Sequence, residues 1–256
     1  MKIISHFFNE SYLLPFWLNH HKKIFDSGVL INHNSTDNSI KLIEKITPSW
    51  DLHNYKEKEF DSEKLNHMVQ KYEKKIRRQY KIVLNTTEFL IINDGEKFNK
   101  LVSRKGKNCF RFVSKIMIDE DVSKNKINDL LKEKKFGIWN DEILDKIDLQ
   151  KISDEKVIKY VKALPQRYRF MHNYKHGKYL PGRHSSKLKF EDVNREVAYI
   201  QYYLLSPMNN EFIKRKTQIS EKVSTDDKQK DRGYQHLYSD NDLVNAHKKI
   251  SKSLKV

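Results

Sequence analysis

Lys81-Ile82-Val83-Leu84-Asn85-Thr86-Thr87-Glu88-Phe89-Leu90-Ile91-Ile92 joins an aliphatic run, a polar knot and a second apolar run. Runs this short and this rich in Ile and Val read as buried strands rather than as an amphipathic helix. The knot sits where such a strand would leave its sheet. In open α/β sheets ligands bind outside that carboxyl edge, where loops escape the packed core. The plainer reading is strand, turn and second strand, with Thr as an ordinary β former. The N-terminal third of the chain decides between them.

That third alternates strand and helix. Lys2 to Phe8 reads as a first strand, followed by the polar pair Asn9-Glu10. Leu13, Leu14, Trp17, Leu18 and His21 fall at helical spacing, with Ser11 or Asn9 as cap. Pro15 is tolerated only near a first turn, which starts that helix close to residues 11–14. Gly28 to Asn32 reads as a second strand. The cap-rich loop His33-Asn34-Ser35-Thr36-Asp37-Asn38-Ser39 leads into a helix through Ile40, Leu42, Ile43 and Ile46, which Pro48 ends. Strand, helix, strand, helix predicts a parallel sheet with right-handed crossovers. A short strand follows over residues 51–54, then a helix over 61–79 with Leu65, Met68, Val69, Tyr72 and Ile76 on one face.

Downstream the pattern is less regular. Phe110 to Ile118 reads as a strand, 122–134 and 154–163 as helices, and Tyr168 to Lys178 as a basic, aromatic loop. Tyr179 to Ser186 is a turn. Val197 to Leu205 reads as a strand, Asn209 to Ile219 as a helix, and 239–254 as a peripheral helix. With no repeat and no low-complexity linker, the expectation is one domain over 1–220 and a charged, partly helical extension over 221–256.

The chain has 256 residues, 38% of them hydrophobic, with 13 Phe, 13 Tyr and 3 Trp, which argues against disorder and suffices for a full core. No apolar run approaches the roughly 20 residues of a membrane helix. The N-terminus lacks the apolar stretch and cleavage site of a signal peptide, so the Asn-x-Ser/Thr triplets carry little weight. The single cysteine, Cys109, excludes an internal disulfide and a cysteine metal site, and suits a reducing cytoplasm. A formal charge of +16, from 50 basic against 34 acidic residues, suits an anionic partner: nucleic acid, an acidic membrane face or a phosphorylated substrate. A lysine-rich composition drawn from A/T-rich codons would give the same excess. Charge alone decides nothing.

Phe8-Asn9-Glu10 with Leu13 to His21, followed by Val29 to Ser39, resembles the start of family 2-like glycosyltransferases of the GT-A fold. The resemblance is to a branch with Asn-Glu after the first strand and Ser-Thr-Asp after the second. It covers residues 3–46, resumes at 81–92, and is looser over 182–219, through Arg183-His184 and Leu205 to Lys216. It implies an α/β, Rossmann-like, mostly parallel sheet flanked by helices, with a nucleotide-sugar donor, favoured as a UDP-sugar, across the carboxyl edge. Carried over by position, Phe8, Asn9 and Glu10 flank the base. His33 stands where many relatives have a carboxylate that bonds uracil, and Asn34 to Asp37 shape that pocket. On the residues alone, Asp37 and Glu10 read equally well as first-turn acids favoured by a helix dipole.

Asn85-Thr86-Thr87 falls where most relatives carry Asp-x-Asp, the carboxylates that hold Mn²⁺ or Mg²⁺ on the donor diphosphate. Asn and Thr offer neutral oxygens, whereas these ions want anionic ones. Either Glu88 and His184 hold the metal, or Lys and Arg neutralise the diphosphate. Glu191 and Asp192 are the carboxylates that sequence order suggests as the base taking the acceptor proton. The acceptor implied is a saccharide or a lipid-linked one, reached in the cytoplasm or peripherally at the inner face of the membrane. Two other readings compete. One is a GT-A domain that binds sugar nucleotides with altered catalysis. The other is a basic nucleic-acid binder, motivated by the charge and by aromatic-basic stretches such as Arg167-Tyr168-Arg169-Phe170; it lacks any helix-turn-helix, finger or RNA-binding signature, so no nucleic-acid partner is expected.

Overall fold

The structure, a computed structural model, describes residues 1–123, 126–230, 232 and 237–255. In chain order its elements begin with β1 (Lys2–Phe7), α1 (Leu14–His21), β2 (Ser27–Asn32), α2 (Ser39–Ile46), β3 (Asp51–Asn54) and α3 (Ser62–Lys75). Next come β4 (Lys81–Val83), β5 (Glu88–Ile92), α4 (Gly95–Val102), β6 (Cys109–Phe112) and β7 (Ser114–Ile118). Then follow α5 (Leu130–Glu133), β8 (Gly137–Trp139), α6 (Ile143–Lys146), α7 (Glu155–Lys162), β9 (Arg169–His172) and β10 (Glu191–Asp192). The chain closes with β11 (Ala198–Leu205), α8 (Asn210–Thr217), α9 (Thr225–Gln229) and α10 (Asp240–Lys252). They divide into two compact units, Met1–Ser114 with Tyr168–Gln201, and Lys115–Arg167 with Tyr202–Val256.

The first unit is an α/β layer structure around a seven-stranded sheet of order β10-β6-β9-β4-β1-β2-β3. All pairs are parallel except those of β9, which runs antiparallel between β4 and β6. The central strands read as unbroken apolar runs because helices cover both faces of a parallel sheet. Ile3, Ile4, Leu30, Ile31 and Ile82 are fully enclosed. Register aligns Ile4 with Val29 on one side and Val83 on the other. Gly28 admits the indole of Trp50, which lies 2.2 Å from where a Cβ would stand.

Helix α1 opens with Pro15 in its first turn and buries Leu14, Trp17, Leu18 and His21. Helix α3 is capped by Asp61, whose carboxylate accepts from the Glu63 and Lys64 amides. It ends at Lys75, short of the expected 79, with Ile76 extended and Arg78 left-handed at φ 58°. Its buried face carries two polar residues among the apolar ones, Asn66 and Glu73.

Three expectations are corrected here. The stretch 110–118 is not one strand: it breaks at Val113, giving β6 in the first unit and β7 leading into the second. Residues 169–172, expected as loop, form β9, with Arg169 1% and Phe170 3% exposed. Of the helix expected over 122–134, only Leu130–Glu133 is helical, and Lys124 and Asn125 lie outside the described residues.

The second unit is built separately. There β7 pairs antiparallel with β8, Lys115 opposite Trp139 and Met117 opposite Gly137. Residues 221–256, expected as an extension, belong to this unit. Helix α10 is not peripheral within it: a Ser239–Asp242 capping box starts the helix, and Leu243, Ala246, His247 and Ile250 are buried. The His247 ring donates to the Asp119 carbonyl at 2.7 Å. Among the described residues no helix is long and apolar enough to cross a membrane.

Candidate functional site

In the first unit, strands β1, β2 and β3 progress one way across the sheet, and β4 is added on the other side of β1. The connections therefore reverse direction between β1 and β4. In open sheets that reversal opens a crevice outside the strands' carboxyl ends. The loops leaving β1, β2 and β4 supply its rim, and β9, being antiparallel, starts at the same edge.

The first two loops are laced together. The Asn9 amide donates to Ser35 Oγ at 2.9 Å, while Asn9 Oδ1 accepts from the Thr36 amide at 2.7 Å and the Asp37 amide at 3.4 Å. The Glu10 amide donates to Ser39 Oγ and the Ser11 amide to Asp37 Oδ2, both at 2.9 Å. Asn9 and Asn34 both adopt left-handed backbone, at φ 48° and 56°. Asn tolerates that region because its short amide bonds locally. Burial opposes the charge on Asp37, but hydrogen bonds from Ser39 and Ser11 outweigh it and hold the carboxyl below its ordinary range. Asp37 also accepts from the Ser39 amide at the start of α2.

His33 is fully enclosed. Its ring lies 4.2 Å from that of Phe60 and 5.1 Å from that of Tyr55. Nε2 donates to the Glu57 carbonyl at 2.8 Å, which leaves Nδ1 to accept from His6 Nε2 at 3.4 Å. His33 thus orders the loop after β3 and the His6 ring. Phe8 is 7% exposed, with its ring 5.8 Å from Phe60. His6 is pushed well below the ordinary histidine value, first by burial, then by Arg183 and His33, and is neutral at physiological pH.

The polar knot after β4 is a turn. The Glu88 amide donates to the Asn85 carbonyl at 2.9 Å, and the Asn85 amide returns to Glu88 Oε2 at 2.7 Å. Both Glu88 oxygens also receive Arg169, through Nε and Nη2. This forked pair is almost wholly enclosed, with side chains 1% and 2% exposed. The remaining Arg169 nitrogen, Nη1, donates to the carbonyls of Gly182 at 3.0 Å and Arg183 at 2.7 Å. Gly182 and Arg183 are both left-handed, at φ 82° and 60°.

Arg183 returns to the knot. Its Nη2 donates to Asn85 Oδ1 at 3.2 Å and its Nη1 to Asn66 Oδ1 at 3.4 Å. It is 7% exposed, and among the described residues no carboxylate is bonded to it. Burial, then repulsion from Arg169, pushes it down to about 10, which leaves it charged at neutral pH.

The structure therefore brings Asn9, Asn34, Asp37 and Asn85 to one edge, with Phe8, Glu10 and His33 behind them. Thr87 is buried in the knot, and His184 is half-buried beside Arg183. Glu88, expected as a metal ligand with His184, instead faces Arg169. Among the described residues no three His, Cys, Asp or Glu side chains cluster as a metal site. Glu191 and Asp192, expected as bases, sit on edge strand β10, three strands from β4 and so about 14 Å away. They pair with Arg104 and Arg111. Sequence reasoning missed Arg169, Arg183, Asn66 and His6. For Arg169 no local signal exists: residues 169–172 run polar, apolar, apolar, polar, without the alternation of a strand.

A second concavity, about 310 Å³, lies at the opposite edge, lined by Lys2, His53, Tyr72, Lys75 and Arg77 among others. Lys75 and Arg77 there are exposed, and Lys75 lies over the Tyr72 ring. No enclosed polar network orients them.

No family model matches the sequence, and no curated protein matches it. Solved structures do. TarS 1-349 of S. aureus is similar with a TM-score of 0.40 and 11% identity, over 86% of this chain and 64% of that one. Glucosyl-3-phosphoglycerate synthase of Mycobacterium tuberculosis, in complex with Mn²⁺, UDP and its product, is similar with a TM-score of 0.31 and 12% identity. That match covers 45% of this chain and 43% of the other. A Bacillus anthracis protein described as a glucose-1-phosphate thymidylyltransferase, bound to sucrose, gives 0.35 and 11% over 78% and 87%. The chain spans less than two thirds of TarS 1-349. At these scores the likeness carries neither activity nor substrate to this chain.

Proposed function

We propose that this chain is a glycosyltransferase that moves a sugar from a nucleoside diphosphate sugar, a UDP-sugar favoured, to a hydroxyl of a saccharide or lipid-linked acceptor. The observation that carries the reading is the β1/β4 reversal, where three polar loops are ordered by bonds within the chain itself. Asn9 and Asp37 lock the first two loops, and Glu88 with Arg169 locks the third. Such ordering suits a site that binds one small polar molecule without reorganising. In the transfer, the acceptor oxygen forms a bond to the anomeric carbon as the bond from that carbon to the diphosphate oxygen breaks. The hydroxyl proton passes to a base, and negative charge collects on the departing diphosphate. The +16 charge suits work on lipid-linked acceptors at an acidic membrane face, on its cytoplasmic side.

The aromatic-basic stretch offers a nucleic acid less than its sequence suggests, since Arg169 and Phe170 are buried in a strand. Thermal melting with UDP, GDP and other nucleoside diphosphates tests the proposal. One that binds the folded state raises the melting temperature in proportion to the logarithm of its concentration. Hydrolysis or transfer of a UDP-sugar, read as released UDP, is the companion assay. No shift with any nucleoside diphosphate would end the reading.

A further inference from the structure

The family that the opening loops resemble neutralises the donor diphosphate with a divalent cation held by carboxylates. The residues of this chain do not fit that ion. Both oxygens of Glu88 receive Arg169, and one also receives the Asn85 amide. The Asn85 side-chain oxygen accepts from Arg183. Thr86 and Thr87 are buried and neutral. A hard cation offered this set would find no free anionic oxygen.

We propose that Arg183 takes the cation's place, making a metal-independent anion site for a diphosphate. The identity of the ligand as a nucleotide rests on the reading above, but the charge of the site does not. Arg183 is 7% exposed, and among the described residues its acceptors are two neutral amide oxygens, on Asn66 and Asn85. Of the five N–H donors of a guanidinium, these use two, leaving three for a ligand. Glu88, already forked to Arg169, and Glu73 attract Arg183 through space, but among the described residues no carboxylate is bonded to it. On α3, Glu63 is exposed in the first turn, and Glu73 lies two helical turns beyond Asn66, about 10 Å, where it bonds His172 and Tyr179. A buried cation without a bonded counter-ion is unfavourable, and an arriving phosphate oxygen relieves that.

The backbone supports the same assignment. Two consecutive left-handed residues, Gly182 and Arg183, turn the side chain inward. Arg169 holds both of their carbonyls, and Glu88 fixes Arg169. Strain held in place by surrounding structure marks functional segments more often than connecting ones. Glu88 is thus a positioning residue: it orients Arg169, which fixes the loop carrying the cation. A guanidinium suits phosphate better than an ammonium would, because its fork meets two oxygens at once.

Calorimetry with two probes, inorganic pyrophosphate and UDP, each in chelator and in Mn²⁺, tests the proposal on the full chain. The wild type should bind both in chelator, with affinity within about twofold of that in Mn²⁺. Arg183→Met should weaken both by at least about tenfold, the usual worth of a charge-assisted contact, and Arg183→Lys should recover part. Should Arg183→Met fail to fold, Asn66→Asp keeps the question open to refutation. It places a carboxylate against the guanidinium, so the melting point should hold or rise while pyrophosphate affinity falls by a similar factor. Affinity that appears only with Mn²⁺, or that Asn66→Asp leaves unchanged, overturns the proposal. Arg183-dependent pyrophosphate binding without any nucleoside diphosphate binding would keep the arginine site and remove the transferase reading. UDP binding that demands Mn²⁺ would do the reverse.

Discussion

Glu88 and Arg169 form an ion pair that water barely reaches, and each is also tied to backbone. Removing one partner of such a pair strands a charge in a low-dielectric interior, which costs about 3 kcal/mol or more. Glu88→Gln keeps the shape and one acceptor but strands Arg169, so we expect a loss of about 3 kcal/mol in denaturant unfolding. A loss under about 0.5 kcal/mol would make the pair incidental. Asn9 is a different case: it is partly exposed, left-handed, and bonded across to the next loop. Asn9→Ala loses the side-chain bonds to the Thr36 and Asp37 amides and adds backbone strain, about 2 kcal/mol together. Asn9→Gly should recover the strain part alone. The two variants separated by circular dichroism melts would show whether conformation or hydrogen bonding dominates there.

Helix α3 serves both ends of the sheet from a single face. Asn66 meets Arg183 at the carboxyl edge, while Glu73 meets His172 at 2.9 Å, Tyr179 at 3.1 Å and the Gly177 amide at 2.9 Å. Glu73 and His172 are fully enclosed. Glu73→Gln should therefore destabilise the fold measurably and leave pyrophosphate affinity unchanged, whereas Asn66→Asp should do the opposite. Melting and calorimetry on both variants check this, and an equal effect on both readouts would merge the two clusters. The apolar spacing of α3 predicts its buried face, but Asn66 and Glu73 interrupt that spacing, and local periodicity assigns them no purpose. The same limit recurs elsewhere. β1, α1, β2 and α2 are legible because their apolar runs, caps and Pro15 act within a few residues of one another. β9 is not, since Arg169 is buried only because Glu88, 81 residues earlier, receives it. Likewise Asn85 marks the rim by following a strand, whereas Arg183 acquires its role from two asparagines distant in sequence. The break at Val113 does not stand out from the sequence of 110–118, because the choice of partner strand is what separates β6 from β7.

Over the whole molecule, the shifted groups set how stability follows pH. In the first unit His6 and His21 are pushed well below 6.5, burial being the main cause. Their unfolded forms take up protons below about 6.5 and the folded forms do not, so stability falls as pH drops through that value. In the second unit Lys216 is buried against Tyr160 and the Leu204 carbonyl, and burial, then Arg215 and Arg167, pushes it down to about 7. Between about 7 and 10.5 the unfolded lysine holds a proton that the folded one has released, so this residue's contribution rises with pH across that window. Lys216→Met should flatten the alkaline climb and raise stability near pH 7, read from melts across pH; an unchanged slope would contradict the shift. The division into two units has a further consequence, for synthesis. The first unit takes its last strands from residues 168–201, after residues 115–167 of the second have been made. At roughly 5–20 residues per second on the ribosome, Glu88 waits about 4–16 s for Arg169 to emerge. During that interval the carboxylate has no guanidinium, the gap between β4 and β6 has no strand, and two apolar edges stand open to whatever chaperone reaches the nascent chain first.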